Sequence, residues 1–196
     1  DVAPSRGLGD VYKRQVQKPL YIDLSLNGHC AVYGSVVSGK STFLQSLVYS
    51  FVMKYSPEQL QMYLVDFSSN MLTAFEKAPH VGGVICDGQE ERIDKFIHML
   101  TVMMDERKKM FQGGNYSQYV QVHGVAIPAL LVVIDNVGSF REKTKYIYDD
   151  VLFRLAREGV GYGIYLVVSA AGIGMSELPT RIADNFRNIL SLEQAD

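Results

Sequence analysis

The sequence predicts an α/β fold, a mostly parallel and doubly wound sheet with helices on both faces. Three observations carry that expectation. Largely apolar runs recur at Gln61–Phe67, Ala129–Ile134 and Gly163–Ser169, the second of them unbroken, as strands buried on both faces require. Segments with apolar residues at helical spacing lie between them, and this alternation specifies parallel strands joined by helical crossovers. Finally, Gly34–Thr42 has the spacing G-x-x-x-x-G-K-[ST] of a loop that cradles phosphates, and it sits between a short apolar run and an amphipathic one.

Length and composition fit one such domain. The 196 residues are 47% hydrophobic, enough for an ample core, and 19 basic against 21 acidic side chains leave a net charge of −2. No apolar run reaches the roughly 18 uncharged residues of a membrane span, and no signal-peptide core precedes the domain, so the chain reads as cytoplasmic. Cys30 and Cys86 fall in predicted strands without partner spacing, which suits small core residues better than a disulfide or a metal pair. The four histidines are scattered and argue against zinc.

Residues 1–15 lack apolar periodicity and are set apart as a non-native or disordered tail. Asp10–Gln15 resembles the translation of an adapter used in sequencing libraries. The domain is assigned to residues 16–196. Leu20, Ile22, Leu24 and Leu26 alternate before Asn27-Gly28, which predicts a two-residue hairpin delivering the next strand, His29–Tyr33. After the loop, Phe43, Leu44, Leu47, Val48, Phe51 and Val52 mark one helical face. Gln61–Phe67 is a strand with Asp66 near its cleft-facing end. A short helix is expected over Leu72–Lys77, then a turn and strand over Pro79–Ile85.

From Gln89 a long helix is expected, with Ile93, Phe96, Ile97, Leu100, Met103, Met104 and Phe111 as its core stripe and Asp105–Lys109 solvated. Gly113-Gly114 stops it, and a polar stretch follows. Ala129–Ile134, closed by Asp135, is the most buried strand. Gly138 and Phe140 lead into a polar loop, then come a helix over Tyr148–Glu158, a strand over Gly163–Ser169, and a last strand near Ile189–Leu192, with closing strands possible beyond Asp196.

The loop's residue types each have a task. Backbone N–H groups of Gly34, Ser35, Val36, Val37, Ser38 and Gly39 would wrap a phosphate, and the following helix presents its positive end to the same anion. Lys40 would be the point charge on the outer phosphates, Ser41 the hydroxyl on Mg²⁺, and Thr42 completes the motif. A metal also needs a carboxylate from a strand end well downstream, which Asp135 supplies; the alternative for Asp135 is a carboxylate that caps a turn. Hydrolases of this type place a Glu directly after that Asp to take a proton from the attacking water. Here the residue is Asn136, whose amide cannot accept that proton, so no catalytic residue is assigned.

Taken together, the loop, Tyr63–Phe67, Ala74–Lys77, Pro79–Ile85, Arg107–Phe111, Val133–Asp135 and Ala156–Gly159 followed by Tyr162–Leu166 resemble the FtsK/SpoIIIE family of P-loop ATPases. The resemblance is nearer still to the tandem ATPase domains of the type VII secretion motor, and it runs from about Pro19 to the end. It implies a RecA-like fold and ATP with Mg²⁺ as ligands, held by Gly34–Thr42 and Asp135. It also implies neighbouring ATPase modules as partners, a helical-hairpin substrate recognised through its C-terminal signal, and attachment to the membrane only through a parent chain. Departures from the family pattern are Val37 for a loop glycine, Asn136 for the glutamate, Val160 for a basic residue, and Ala170-Ala171 for a polar sensor. They resemble the degenerate C-terminal modules of that motor, in which nucleotide binding and substrate docking outlast turnover. One rival is a working ATPase, in which another carboxylate or a neighbouring subunit supplies what Asn136 lacks; a second is an active DNA translocase, but a net charge of −2 without a basic stripe disfavours DNA as partner.

Overall fold

A computed structural model describes residues 22–192. Six strands, β1 (Cys30–Tyr33), β2 (Leu60–Asp66), β3 (Val81–Cys86), β4 (Ala129–Asp135), β5 (Ile164–Ala170) and β6 (Asn188–Ser191), form one sheet in the order β3-β2-β4-β5-β1-β6. Every pairing is parallel. The helices are α1 (Leu24–Asn27), α2 (Lys40–Lys54), α3 (Glu90–Met110), α4 (Tyr116–His123), α5 (Val137–Lys143), α6 (Asp149–Glu158) and α7 (Thr180–Ala183).

A parallel sheet must be covered on both faces, and the side-chain alternation of β4 shows how that is met. Leu130, Val132 and Ile134 join a core with α3, α5, α6 and α7, whereas Leu131 and Val133 face Leu44, Leu47 and Val48 of α2. Full burial of each such side chain stabilises the fold by about 1.5–3 kcal/mol. Cys30 belongs to this core, and burial pushes its thiol up to about 12; Cys86 is half-buried at the end of β3.

The structure corrects four expectations. The hairpin does not form: Leu24–Asn27 is a single helical turn, capped by the Asp23 carboxylate on the Leu26 N–H and closed by Gly28 at φ 75°. Asn27-Gly28 signals a turn because glycine takes positive φ freely, and here that freedom ends a helix. Leu20, the first residue of the expected alternation, lies outside the described residues, as do residues 1–15. Next, the polar stretch holds α4, opened by a reciprocal cap between Asn115 and Gln118. The expected loop after Gly138 is α5, capped by Asn136. Lastly, Arg107 is not solvated: it is 6% exposed and donates to the carbonyls of Pro128, Tyr162 and Gly163, tying α3 to the starts of β4 and β5.

His29 locks the same end of the sheet. Its Nδ1 accepts the Leu166 N–H of β5 at 2.8 Å, while Nε2 lies near the Leu155 and Ala156 carbonyls without hydrogen-bond geometry to either. Burial holds its pKa down to about 4 from an ordinary 6.5. The unfolded chain therefore takes up the proton first, so the stability His29 contributes is intact above about pH 6.5 and is lost as pH falls toward 4. Urea unfolding should show about 2 kcal/mol less stability at pH 5 than at pH 7, a difference that His29→Gln removes. An unchanged slope in that variant assigns the loss to other groups.

Candidate functional site

The strand order puts the loop and the carboxylate two strands apart: β1 runs into Gly34, β4 ends in Asp135, and β5 lies between them. All three end at the same edge of the sheet, where open α/β sheets bind their ligands. There a cleft of about 480 Å³ is lined by Val36, Val37, Gly39, Lys40, Ser41 and Thr42 on one side and by Ser68, Ser69, Met71, Asn136, Ala171 and Glu177 on the other. Val36, Val37, Gly39–Thr42 and Asn136 are thus brought together, whereas Gly34, Ser35, Ser38 and Asp135 are not among the residues that line the cleft. Asp135 is 1% exposed at the end of β4, immediately before Asn136.

The loop's own geometry fits an anion. A Cβ on Gly34 would stand 2.4 Å from the Ser38 Oγ, and Gly39 has φ 93°, so both positions need glycine. Lys40 donates from Nζ to the carbonyls of Gly34 at 2.6 Å and Ser35 at 2.7 Å, pinning the loop to the first turn of α2. Val37 is 95% exposed at φ 68°, a left-handed conformation that costs a non-glycine residue roughly 1–2 kcal/mol. The family's loop glycine has a physical reason, and Val37 bears the strain of its loss.

Asp135 is held by a residue that sequence reasoning missed. Ser169 of β5 donates its hydroxyl to Asp135 Oδ1 at 2.5 Å and accepts the Asn136 N–H at 2.8 Å. The other oxygen, Oδ2, is buried with no hydrogen-bond partner among the described residues. A buried carboxylate oxygen without a donor is costly unless a cation meets it, an arrangement that suits a metal ligand better than a turn cap. Asp66 has a different role. It accepts the N–H groups of Ser68, Ser69 and Leu72, shaping the loop that forms the far wall of the cleft. Ser41 reaches that wall through its hydroxyl, 3.4 Å from that of Ser68.

Asn136 is committed elsewhere as well. It sits at φ 64°, where asparagine is better tolerated than most residues, and its side-chain oxygen caps α5 on the Ser139 N–H. Not every departure lies at this site. Val160 packs beside Gly28, 3.2 Å from where a Cβ on that glycine would stand, at the opposite end of β1. Ala170 is 1% exposed within β5. Three of the four departures therefore reach the cleft, through Val37, Asn136 and Ala171. Glu177 was not anticipated in it, because it arrives from a segment with no periodic pattern.

Comparison with known proteins gives this geometry its family. The FtsK/SpoIIIE family model matches residues 1–179. The EssC type VII secretion protein of Staphylococcus aureus strain MRSA252 is 31% identical over 196 residues, covering 98% of this chain and 13% of that protein. This chain thus spans about an eighth of that relative's length. The solved cytoplasmic domain of EssC superposes with a TM-score of 0.84 at 25% identity, covering 92% of this chain and 35% of that one. Thermomonospora curvata EccC, comprising ATPases 2 and 3 in complex with a signal sequence peptide, does so with 0.83 at 28% identity, covering 91% and 34%. Among the described residues no helix is long and apolar enough to cross a membrane. With a phosphate loop entering from β1, an aspartate closing β4 and a six-stranded parallel sheet like those of these ATPases, the chain belongs to the FtsK/SpoIIIE family and is homologous to the ATPase domains of type VII secretion motors.

Proposed function

We propose that the chain is an ATP-binding module of a membrane-associated type VII protein secretion motor, one that hydrolyses ATP slowly or not at all and contributes by docking a substrate signal and by regulation. The observation that carries this reading is the pairing of an intact anion cradle around Lys40 with an Asn136 already used as a helix cap. Backbone N–H groups of Ser35–Gly39 and the Lys40 ammonium would hold the phosphates. Ser41 and Asp135 would hold Mg²⁺, which when bound neutralises phosphate charge. The missing glutamate removes general-base assistance, typically 10²–10⁴-fold, from the position where the family keeps it.

Docking rests on a second surface. At the opposite end of the sheet, where β2 and β4 begin and α2 ends, lies a largely apolar groove of about 350 Å³ lined by residues including Leu24, Phe51, Tyr55, Leu60 and Tyr165. A short amphipathic helix, such as the C-terminal signal of a helical-hairpin substrate, suits such a groove, and the ordering cost of the signal keeps the contact near micromolar, about −8 kcal/mol. Titration of a labelled peptide from such a tail, with duplex DNA as competitor, tests the assignment. Saturable peptide binding is expected, together with ATP turnover far below the common enzymatic figure of roughly 10 s⁻¹. Saturable DNA binding near physiological salt, without peptide binding, moves the protein to the translocase reading.

A further inference from the structure

Glu177 is a carboxylate in the phosphate-loop cleft that the family pattern does not call for there. It shares the cleft with Lys40, Ser41, Asn136 and Ala171. Its placement is built, not incidental. The buried Arg141 donates from Nη1 to the carbonyls of Met175 and Glu177 at 2.9 and 2.8 Å. Arg141 is itself fixed by a two-pronged pair with Asp149 at 2.8 Å on each prong. The Gly174 N–H donates to the Leu178 carbonyl, closing the segment that carries Glu177 into a tight loop. At the other end of the side chain, Glu177 Oε2 accepts the Ala171 N–H at 3.1 Å. A Cβ on Gly138 would stand 2.6 Å from the same oxygen, so the first turn of α5 leaves room for this carboxyl.

A carboxylate beside an anion-binding loop opposes the anion unless it does work there. Asn136 leaves one task unfilled, the acceptance of a proton from water. We propose that Glu177 is the proton acceptor for the slow hydrolysis this module retains, in place of the glutamate that the family carries directly after Asp135. This rests on the reading that the cleft binds ATP. In the step, a water oxygen bonds to the γ-phosphorus, and the bond from that phosphorus to the β,γ-bridging oxygen breaks. The electron pair leaves with the diphosphate, and the water proton passes to Glu177, which returns it to the inorganic phosphate or to solvent. A general base of this kind contributes typically 10²–10⁴-fold.

Glu177→Gln separates this role from a structural one, because the amide oxygen still accepts the Ala171 N–H and fills the same space beside Gly138. With the purified chain, phosphate release in excess ATP·Mg²⁺ is expected to fall about 100-fold or more toward the level of Lys40→Ala. ATP affinity, read by thermal shift, should stay the same or tighten as the negative charge is removed, with the ligand-free melting temperature unchanged. Glu177→Asp, which keeps the charge on a shorter arm, should retain part of the rate. Equal rates for wild type and Glu177→Gln overturn the assignment, and so does a wild type that binds ATP but releases no phosphate above the Lys40→Ala level. Absence of any ATP-induced shift in wild type and Glu177→Gln alike overturns the ATP-binding reading instead.

Discussion

Arg141→Met should destabilise the chain by about 3 kcal/mol in urea unfolding, because it breaks a buried ion pair from one side only. Arg141 is 2% exposed and is among the largest fully buried side chains, and its guanidinium makes two bonds to Asp149 and two to main-chain carbonyls. Removal leaves a carboxylate only 16% exposed without its partner, and frees the Met175 and Glu177 carbonyls. The usual range for such a loss is roughly 3–5 kcal/mol, and the residual access of water to Asp149 sets the lower end. Arg141→Lys should recover little, since an ammonium cannot reproduce a planar fork that serves four acceptors. Removing both charges, as Arg141→Met with Asp149→Leu, should restore much of the stability, because no charge is then stranded. A loss below about 1 kcal/mol in the single variant would mean that the pair acts as a surface pair does. The loop that carries Glu177 would then owe its position to something else.

The contrast between β4 and that loop explains how far the sequence could be read. Ala129–Asp135 was legible because a strand buried on both faces leaves a local record, an uninterrupted apolar run, and α3 left another in its stripe from Ile93 to Met104. The phosphate loop was legible because its task restricts residue type at fixed spacing. Arg107 and Arg141 left no such record: each is charged, each is buried, and each earns its place through carbonyls or carboxylates supplied by distant segments. Apolar periodicity passes over such residues. Ser169 and Glu177 were missed for the same reason, since their partners Asp135, Ala171 and Gly138 meet them only once the sheet is assembled. Asn136 was visible as a missing glutamate, but its service as a left-handed helix cap was not. Two roles for one side chain make Asn136→Glu a poor rescue by itself, because the longer residue forfeits the cap at an unfavourable φ.

Lys40→Ala should abolish stabilisation by ATP·Mg²⁺ altogether, where wild type gains about 2.7 kcal/mol at a hundredfold excess of ligand over Kd. Without ligand, the Lys40 ammonium bonds the Gly34 and Ser35 carbonyls, so the positive charge stands at the mouth of the loop with Ser41 beside it in the same cleft. A triphosphate offers that charge stronger, ionised acceptors than two neutral carbonyls, and charge-assisted bonds are roughly twice as strong as neutral ones. The backbone N–H groups of the loop are present in the variant too, but they cannot balance the outer phosphates alone. Lys40→Ala also removes the loop's internal tie, so its ligand-free stability should fall slightly, by about 1 kcal/mol. Thermal melts of both proteins with and without millimolar ATP·Mg²⁺ separate the two effects: the small loss appears without ligand, and the failure to gain appears with it. A wild-type melt that millimolar ATP·Mg²⁺ leaves unchanged would show that the strain at Val37, left-handed at φ 68°, has closed the cradle to nucleotide.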